Sequence, residues 1–232
     1  MRQAPICALL LQVMCYNPVM AFFPIFTDLK NKSVLVVGGG KIGEEKALLL
    51  LDFGASVSVV SKTFSKKLEE AAKTNKNLTL IPRDFCETDI NGSPFLAVAA
   101  TSDESTNQKI CALCKDKAVL VCNVTDGKSG SFLFPAIAKS GDIICAISSG
   151  GKSPIVSRYV KEIVQNALPS YLSAINDRLG KVRERLKEIV PNQKARREIL
   201  KSVFDLLLKS KNGASQTQIE KLIAEQNDFL HS

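Results

Sequence analysis

Val34-Leu35-Val36-Val37 runs directly into Gly38-Gly39-Gly40-Lys41-Ile42-Gly43. Four apolar, mostly β-branched residues make a buried strand, and an apolar-periodic helix is expected over 43–53. Glycine holds the first, third and sixth positions of Gly38-x-Gly40-x-x-Gly43. Each glycine meets a different demand: Gly38 permits the tight turn, Gly40 lets a pyrophosphate approach the backbone, and Gly43 lets helix and strand pack closely. The helix N-terminus then offers free N–H groups to phosphates. The loop, with Gly39, Lys41 and Ile42, is therefore a candidate dinucleotide cradle. The competing reading is a glycine turn that binds nothing, and the strand before and helix after it favour binding.

Around this unit, strand patterns at 33–37, 56–60, 78–81, 95–100 and 118–122 alternate with helical patterns at 43–53, 64–74 and 104–115. Strands separated by helices imply βαβ units, a parallel sheet and right-handed crossovers. The pattern changes after 122. Apolar runs at 131–138 and 142–147 flank Lys139-Ser140-Gly141, a connection between two strands or between a strand and a short helix. Ser153 can cap a helix with Pro154 at its first position. The rest reads as helix, with boundaries at Pro169 and Pro191 and a capping box at Ser215-Gln216-Thr217-Gln218. At the other end, 4–14 is apolar after a single arginine. It lacks a small-residue cleavage site and is too short to span a bilayer, so 1–19 reads as an extension with Met20 as a plausible start.

Charge is uneven. The chain of 232 residues carries a formal +8, and 152–211 holds 14 basic against 6 acidic residues, leaving the remainder balanced at 17 each. Such a field attracts polyanions. Nucleic acid is disfavoured, because the segment has few aromatics and no nucleic-acid motif. A small multi-carboxylate substrate or a solvated helical face remain. The seven cysteines are odd in number and scattered, which fits reduced thiols and a cytoplasmic location. Cys111 and Cys114 lie in a helical pattern without a second ligand pair and read as core or surface thiols. The only histidine is His231, beside the C-terminus, so no metal site is expected.

Several residues could carry chemistry. An NAD site usually places an acid at the end of the second strand, to bind the ribose hydroxyls. Here that place holds Ser61-Lys62-Thr63. Lys62 could favour a phosphorylated ribose, and Thr63 could contact ribose or phosphate or start a helix, so NAD and NADP both remain open. Thr101, at the end of the 95–100 strand, is a cofactor-contact candidate, while Asp103 suits a helix cap. Asp126, in Cys122-Asn123-Val124-Thr125-Asp126, could take a proton as a hydride leaves, or be a turn residue. Ser148-Ser149-Gly150-Gly151 offers hydroxyls and N–H groups to an anion, or serves as a flexible cap.

Met20-Ala21-Phe22-Phe23-Pro24-Ile25-Phe26, the glycine loop, Ala99-Ala100-Thr101, the Asn123–Asp126 segment, Ser131-Phe132 with Pro135, and Ser148-Ser149-Gly150-Gly151-Lys152-Ser153-Pro154 occur in this order. Together they resemble the precorrin-2 dehydrogenase family, the dehydrogenase module of siroheme synthases, over about 20–186. The resemblance implies an α/β fold: an N-terminal Rossmann-like sheet at 20–130, a small dimerisation region at 131–153 and a basic helical domain at 154–232. It implies NAD-dependent oxidation of precorrin-2 to sirohydrochlorin by a homodimer, with neither nucleic acid nor membrane as partner. Asp126 falls on the family's acid/base aspartate and Ser149 on its active-site serine. Cofactor contacts fall on Gly38, Gly39, Gly40, Lys41, Ile42, Gly43, Lys62 and Thr63. Some members also insert iron into the product, so a bifunctional dehydrogenase and ferrochelatase is one alternative. A nucleotide-sensing Rossmann module or a tetrapyrrole-binding protein without catalysis are others.

Overall fold

The computed structural model describes residues 22–231; the extension at 1–19 and the start at Met20 lie outside them. The described chain forms two compact units that divide between Phe134 and Pro135.

The first unit is built on five parallel strands: β1 (Ser33–Val37), β2 (Ser56–Ser61), β3 (Leu78–Pro82), β4 (Leu96–Ala99) and β5 (Leu120–Asn123), in the order β3-β2-β1-β4-β5. Helices α1 (Lys41–Asp52), α2 (Lys66–Thr74), α3 (Thr88–Asn91) and α4 (Glu104–Asp116) connect them. The two-residue period of the strands sorts their side chains to two faces. Val34, Val36, Val57 and Val59 meet Ala47, Leu50 and Leu68 of α1 and α2 on one face. Leu35, Val37, Ala97 and Ala99 meet Ile90, Ile110, Cys111 and Cys114 of α3 and α4 on the other. This is the doubly wound sheet that the alternation of strands and helices implies.

Three local readings shift. Helix α1 begins at Lys41, inside the glycine motif, because Gly40 itself is the N-cap. The acidic connection after β3 contains the short helix α3. Residues 131–134 are not strand: Ser131 N–H donates to the Val121 carbonyl at 2.7 Å, its hydroxyl accepts the Val121 N–H at 2.8 Å, and Phe132 and Phe134 pack on the first face.

The second unit opens with an antiparallel hairpin, β6 (Ala136–Ser140) and β7 (Ile143–Ile147), followed by α5 (Pro154–Ala167), α6 (Tyr171–Ile189), α7 (Gln193–Lys209) and α8 (Gln216–His231). The connection over 139–141 is thus a strand-to-strand turn, with Gly141 at φ 55°. Gln165 of α5 closes the edge of β6, accepting the Lys139 N–H and donating to its carbonyl, each at 3.1 Å. Helices α6 to α8 enclose their own core of Ile175, Val182, Leu186, Ile199, Val203, Leu207, Ile219 and Ile223. The caps expected from sequence are present. The Ser153 hydroxyl accepts the Val156 N–H, Pro154 opens α5, and Ser215 and Gln218 form the reciprocal box. No helix among the described residues is long and apolar enough to cross a membrane.

Candidate active site

Because β2, β1, β4 and β5 run parallel, the loops that follow them leave the sheet at one edge. In doubly wound sheets ligands bind outside these carboxyl ends, where the strand order reverses. Here the reversal lies between β1 and β4.

The glycine loop is wedged into this edge. Gly38 has φ 116° and donates its N–H to the Val60 carbonyl at 2.9 Å; a Cβ there would lie 2.3 Å from the Ala100 carbonyl oxygen. A Cβ on Gly39 would lie 2.2 Å from the Thr63 carbonyl oxygen, and one on Gly43 1.9 Å from the Gly38 carbonyl oxygen. Gly40 differs, since a Cβ there would meet nothing within 4 Å. Three glycines therefore hold the backbone against its neighbours, and the fourth leaves an open cradle that a side chain would begin to fill.

Gly40 caps α1 without a side-chain hydrogen bond, as do Glu87 at α3 and Ser170 at α6, whereas Ser65, Asp103, Ser153 and Asn192 supply an oxygen to the first turns of α2, α4, α5 and α7. The first-turn N–H groups of α1, with exposed Lys41 and Ile42, suit an incoming phosphate. The residues present fit a dinucleotide pyrophosphate. Beside the loop, the Ser65 hydroxyl and then Lys67 hold the Glu44 carboxyl below its ordinary range.

Lys62 and Thr63, just past β2, are exposed. Lys62 Nζ lies 3.0 Å from Asp84 Oδ2, beyond the end of β3. Thr101, past β4, is turned inward: its hydroxyl lies 2.8 Å from Asn107 Oδ1 and accepts the Asp103 N–H at 3.2 Å. Asp103 caps α4 as expected, accepting the N–H groups of Ser105 and Thr106. Hydrogen bonds from the Thr106 side chain, then the Ser105 side chain, hold its carboxyl below the ordinary range.

Asp126, past β5, is half-buried in a turn templated by Asn123. Asn123 Oδ1 accepts the Thr125 hydroxyl at 2.8 Å and the N–H groups of Thr125 and Asp126 at 3.0 and 3.4 Å. Its Nδ2 donates to the Ser129 hydroxyl at 2.9 Å, and that hydroxyl donates to the Asp126 carbonyl at 2.9 Å. Asp126 Oδ1 accepts the Lys128 N–H at 3.0 Å; Oδ2 has no hydrogen-bond partner among the described residues.

Two asparagines without an assigned role in the sequence thus organise the edge. Asn123 is 2% exposed and Asn107 is fully buried. Asn107 donates to the Thr101 carbonyl at 3.1 Å and reaches the Thr125 hydroxyl at 3.4 Å, which ties the β4 loop to the β5 loop. Their signal was present: Asn107 shares a core-facing helical stripe with Ile110, Cys111 and Cys114, and Asn123 ends an apolar strand. A buried amide must be satisfied, and here its partners are the site loops.

Ser149 lies in the second unit. Its hydroxyl accepts the Ser153 N–H at 3.0 Å and donates to the Ser153 carbonyl at 2.9 Å. This closes a turn in which Gly150 and Gly151 take φ 67° and 78°. Cys111 and Cys114 are buried core thiols, as their helical pattern indicates. Burial raises both, Cys114 to about 11.

The five-stranded topology and the glycine loop wedged between β1 and α1 define a Rossmann-type dinucleotide-binding domain. Residues 25–136 match a family model described as putative NAD(P)-binding. The chain is 33% identical to the siroheme synthase of Edwardsiella ictaluri, covering 88% of this chain and 44% of that protein. It is 35% identical to the siroheme synthase of Photobacterium profundum, covering 80% and 39%, and 34% identical to that of Salmonella typhimurium, covering 90% and 47%. The chain thus spans less than half the length of these relatives. A solved precorrin-2 dehydrogenase, SirC, shares the fold with a TM-score of 0.67 at 23% identity, covering 89% of this chain and all of that one. The chain is thus similar to part of the siroheme synthases and shares the fold of a solved precorrin-2 dehydrogenase.

Proposed function

We propose that the protein catalyses the NAD-dependent dehydrogenation of precorrin-2 to sirohydrochlorin. The observation that carries this reading is the convergence of the open Gly40 cradle and the Asp126 turn at one sheet edge. Bound NAD supplies a hydride acceptor. The chain's own residues do the rest. The loop over 38–43 and the first turn of α1 hold the pyrophosphate, while Lys62 and Thr63 border the ribose. Thr101, kept in place by Asn107, borders the nicotinamide side. The macrocycle loses two hydrogens, one as hydride and one as a proton. Asp126 Oδ2 takes that proton and passes it to water, while the Asn123 turn fixes the carboxylate's position. Ser149 is assigned to the substrate side as a polar contact.

The second unit supports an anionic substrate. Arg183, Lys187, Arg196 and Arg197 line one cleft of about 280 Å³ between α6 and α7. Such a concentration of positive charge steers a multi-carboxylate macrocycle, with a contribution that salt weakens. A homodimer is supported by α5, whose Ile155, Val156, Tyr159 and Ile163 are 51–78% exposed along one side of the helix. Isolated exposed apolar residues are ordinary, whereas a contiguous stripe on one helix fits an interface. A cytoplasmic location suits the five described cysteines, all free thiols.

The test is purified protein mixed with precorrin-2 and NAD. NADH and sirohydrochlorin should appear in equal amounts. Failure to form either, or NADH without sirohydrochlorin, would overturn the assignment.

A further inference from the structure

We propose that Asp84 sets the choice of dinucleotide, by holding Lys62 and presenting its own carboxylate to the ribose 2′ position. This inference rests on the cofactor reading above. Rossmann domains that select NAD place an acid at the end of the second strand, where it accepts a hydrogen bond from the 2′-hydroxyl; those that select NADP place a cation there for the 2′-phosphate. This chain has a cation at that position, Lys62, which by itself favours the phosphorylated cofactor.

The sheet register changes the outcome. Ser61, the last residue of β2, pairs with Pro82, the last residue of β3. The chain leaving β3 therefore delivers Asp84 beside Lys62, with Oδ2 3.0 Å from Nζ. Oδ1 of Asp84 has no hydrogen-bond partner among the described residues, so it can accept a 2′-hydroxyl. Two nearby cations are engaged elsewhere: Arg83 grips Asp89 with both terminal nitrogens, and Lys67 lies 3.5 Å from Glu44. Lys62 is thus the cation that a 2′-phosphate would meet at the end of β2, and Asp84 both neutralises it and repels the phosphate.

Stability does not explain the pair. The two side chains are 71% and 74% exposed, and ion pairs so exposed contribute little to folding. Their effect falls on what binds beside them. The acid at this position comes from β3, so a sequence search at the end of β2 does not find it.

The test is calorimetric titration of the full chain with NAD and with NADP, for the wild type, Asp84→Asn, Lys62→Ala and the double variant. The wild type should bind NAD more tightly. Asp84→Asn should move the affinity ratio toward NADP by about tenfold, and the double variant should lose that gain. Raising the salt should shrink it as well. If the wild type binds NAD but Asp84→Asn leaves the ratio unchanged, the role of Asp84 is overturned and the cofactor reading stands. A wild type that prefers NADP also overturns it. If the wild type binds neither dinucleotide, both readings fall.

Discussion

Every residue of β4 is buried, whereas the 14-residue helix α5 buries none. The parallel sheet finishes itself: its two faces are covered by helices of its own chain, and its polar interior, Asn107 and Asn123, is satisfied by its own loops. Helix α5 and the hairpin before it are different. They are well capped and locally hydrogen-bonded, yet of the hairpin only Ala138 is buried. Local signals can specify an element without specifying what covers it. Under the proposed function, the sheet supplies chemistry from one chain and α5 waits for a second.

This contrast can be broken from either side. The largest effect is expected at Gly43. Its added Cβ would meet the Gly38 carbonyl at 1.9 Å, so Gly43→Ala must displace backbone and should cost about 3 kcal/mol in urea unfolding, with loss of dinucleotide binding. Gly40→Ala, where nothing lies within 4 Å, should leave unfolding nearly unchanged and weaken dinucleotide binding alone.

On the α5 side, Tyr159→Asp combined with Ile163→Asp should convert a dimer to a monomer in sedimentation, with the unfolding of the first unit unaffected. A wild type that sediments as a monomer at micromolar concentration would remove the contrast.

Asn123→Ala tests whether the buried amide positions the site. It removes the acceptor of the Thr125 N–H and hydroxyl and the donor to the Ser129 hydroxyl, and should cost about 1–3 kcal/mol. Turnover should fall while dinucleotide affinity holds, a split that destabilisation alone does not produce.

The smallest effect concerns pH. Burial raises the Cys114 thiol from 9.0 to about 11. The unfolded chain ionises first, so this stability is fully present below about pH 9 and is lost as pH rises toward 11. Unfolding measured across that range should slope downward, and Cys114→Ala should flatten the slope.

The sheet is legible because its signals are local and redundant: strands alternating with helices, glycine at three fixed offsets, and the Asp103 cap. The nature of the 139–141 connection is not, since a short apolar run fits a strand or a helix equally well. In the candidate site the glycine loop is legible because motif and geometry coincide there, whereas the role of Asp126 is a proposal. Thr101 stands out in the sequence but Asn107, which holds it, does not, because a buried asparagine on a helix face looks like any polar residue until the fold supplies its partners. Asp84 was invisible for a similar reason. Its meaning comes from strand register, which brings together residues 22 positions apart in the sequence.

The most direct measurement is turnover of precorrin-2 by Asp126→Asn, with NAD affinity determined on the same preparation. A fall of about 10²- to 10⁴-fold in kcat with NAD affinity retained is expected, because under the proposed function the carboxylate moves a proton and does not hold the cofactor. Turnover at the wild-type rate would contradict it.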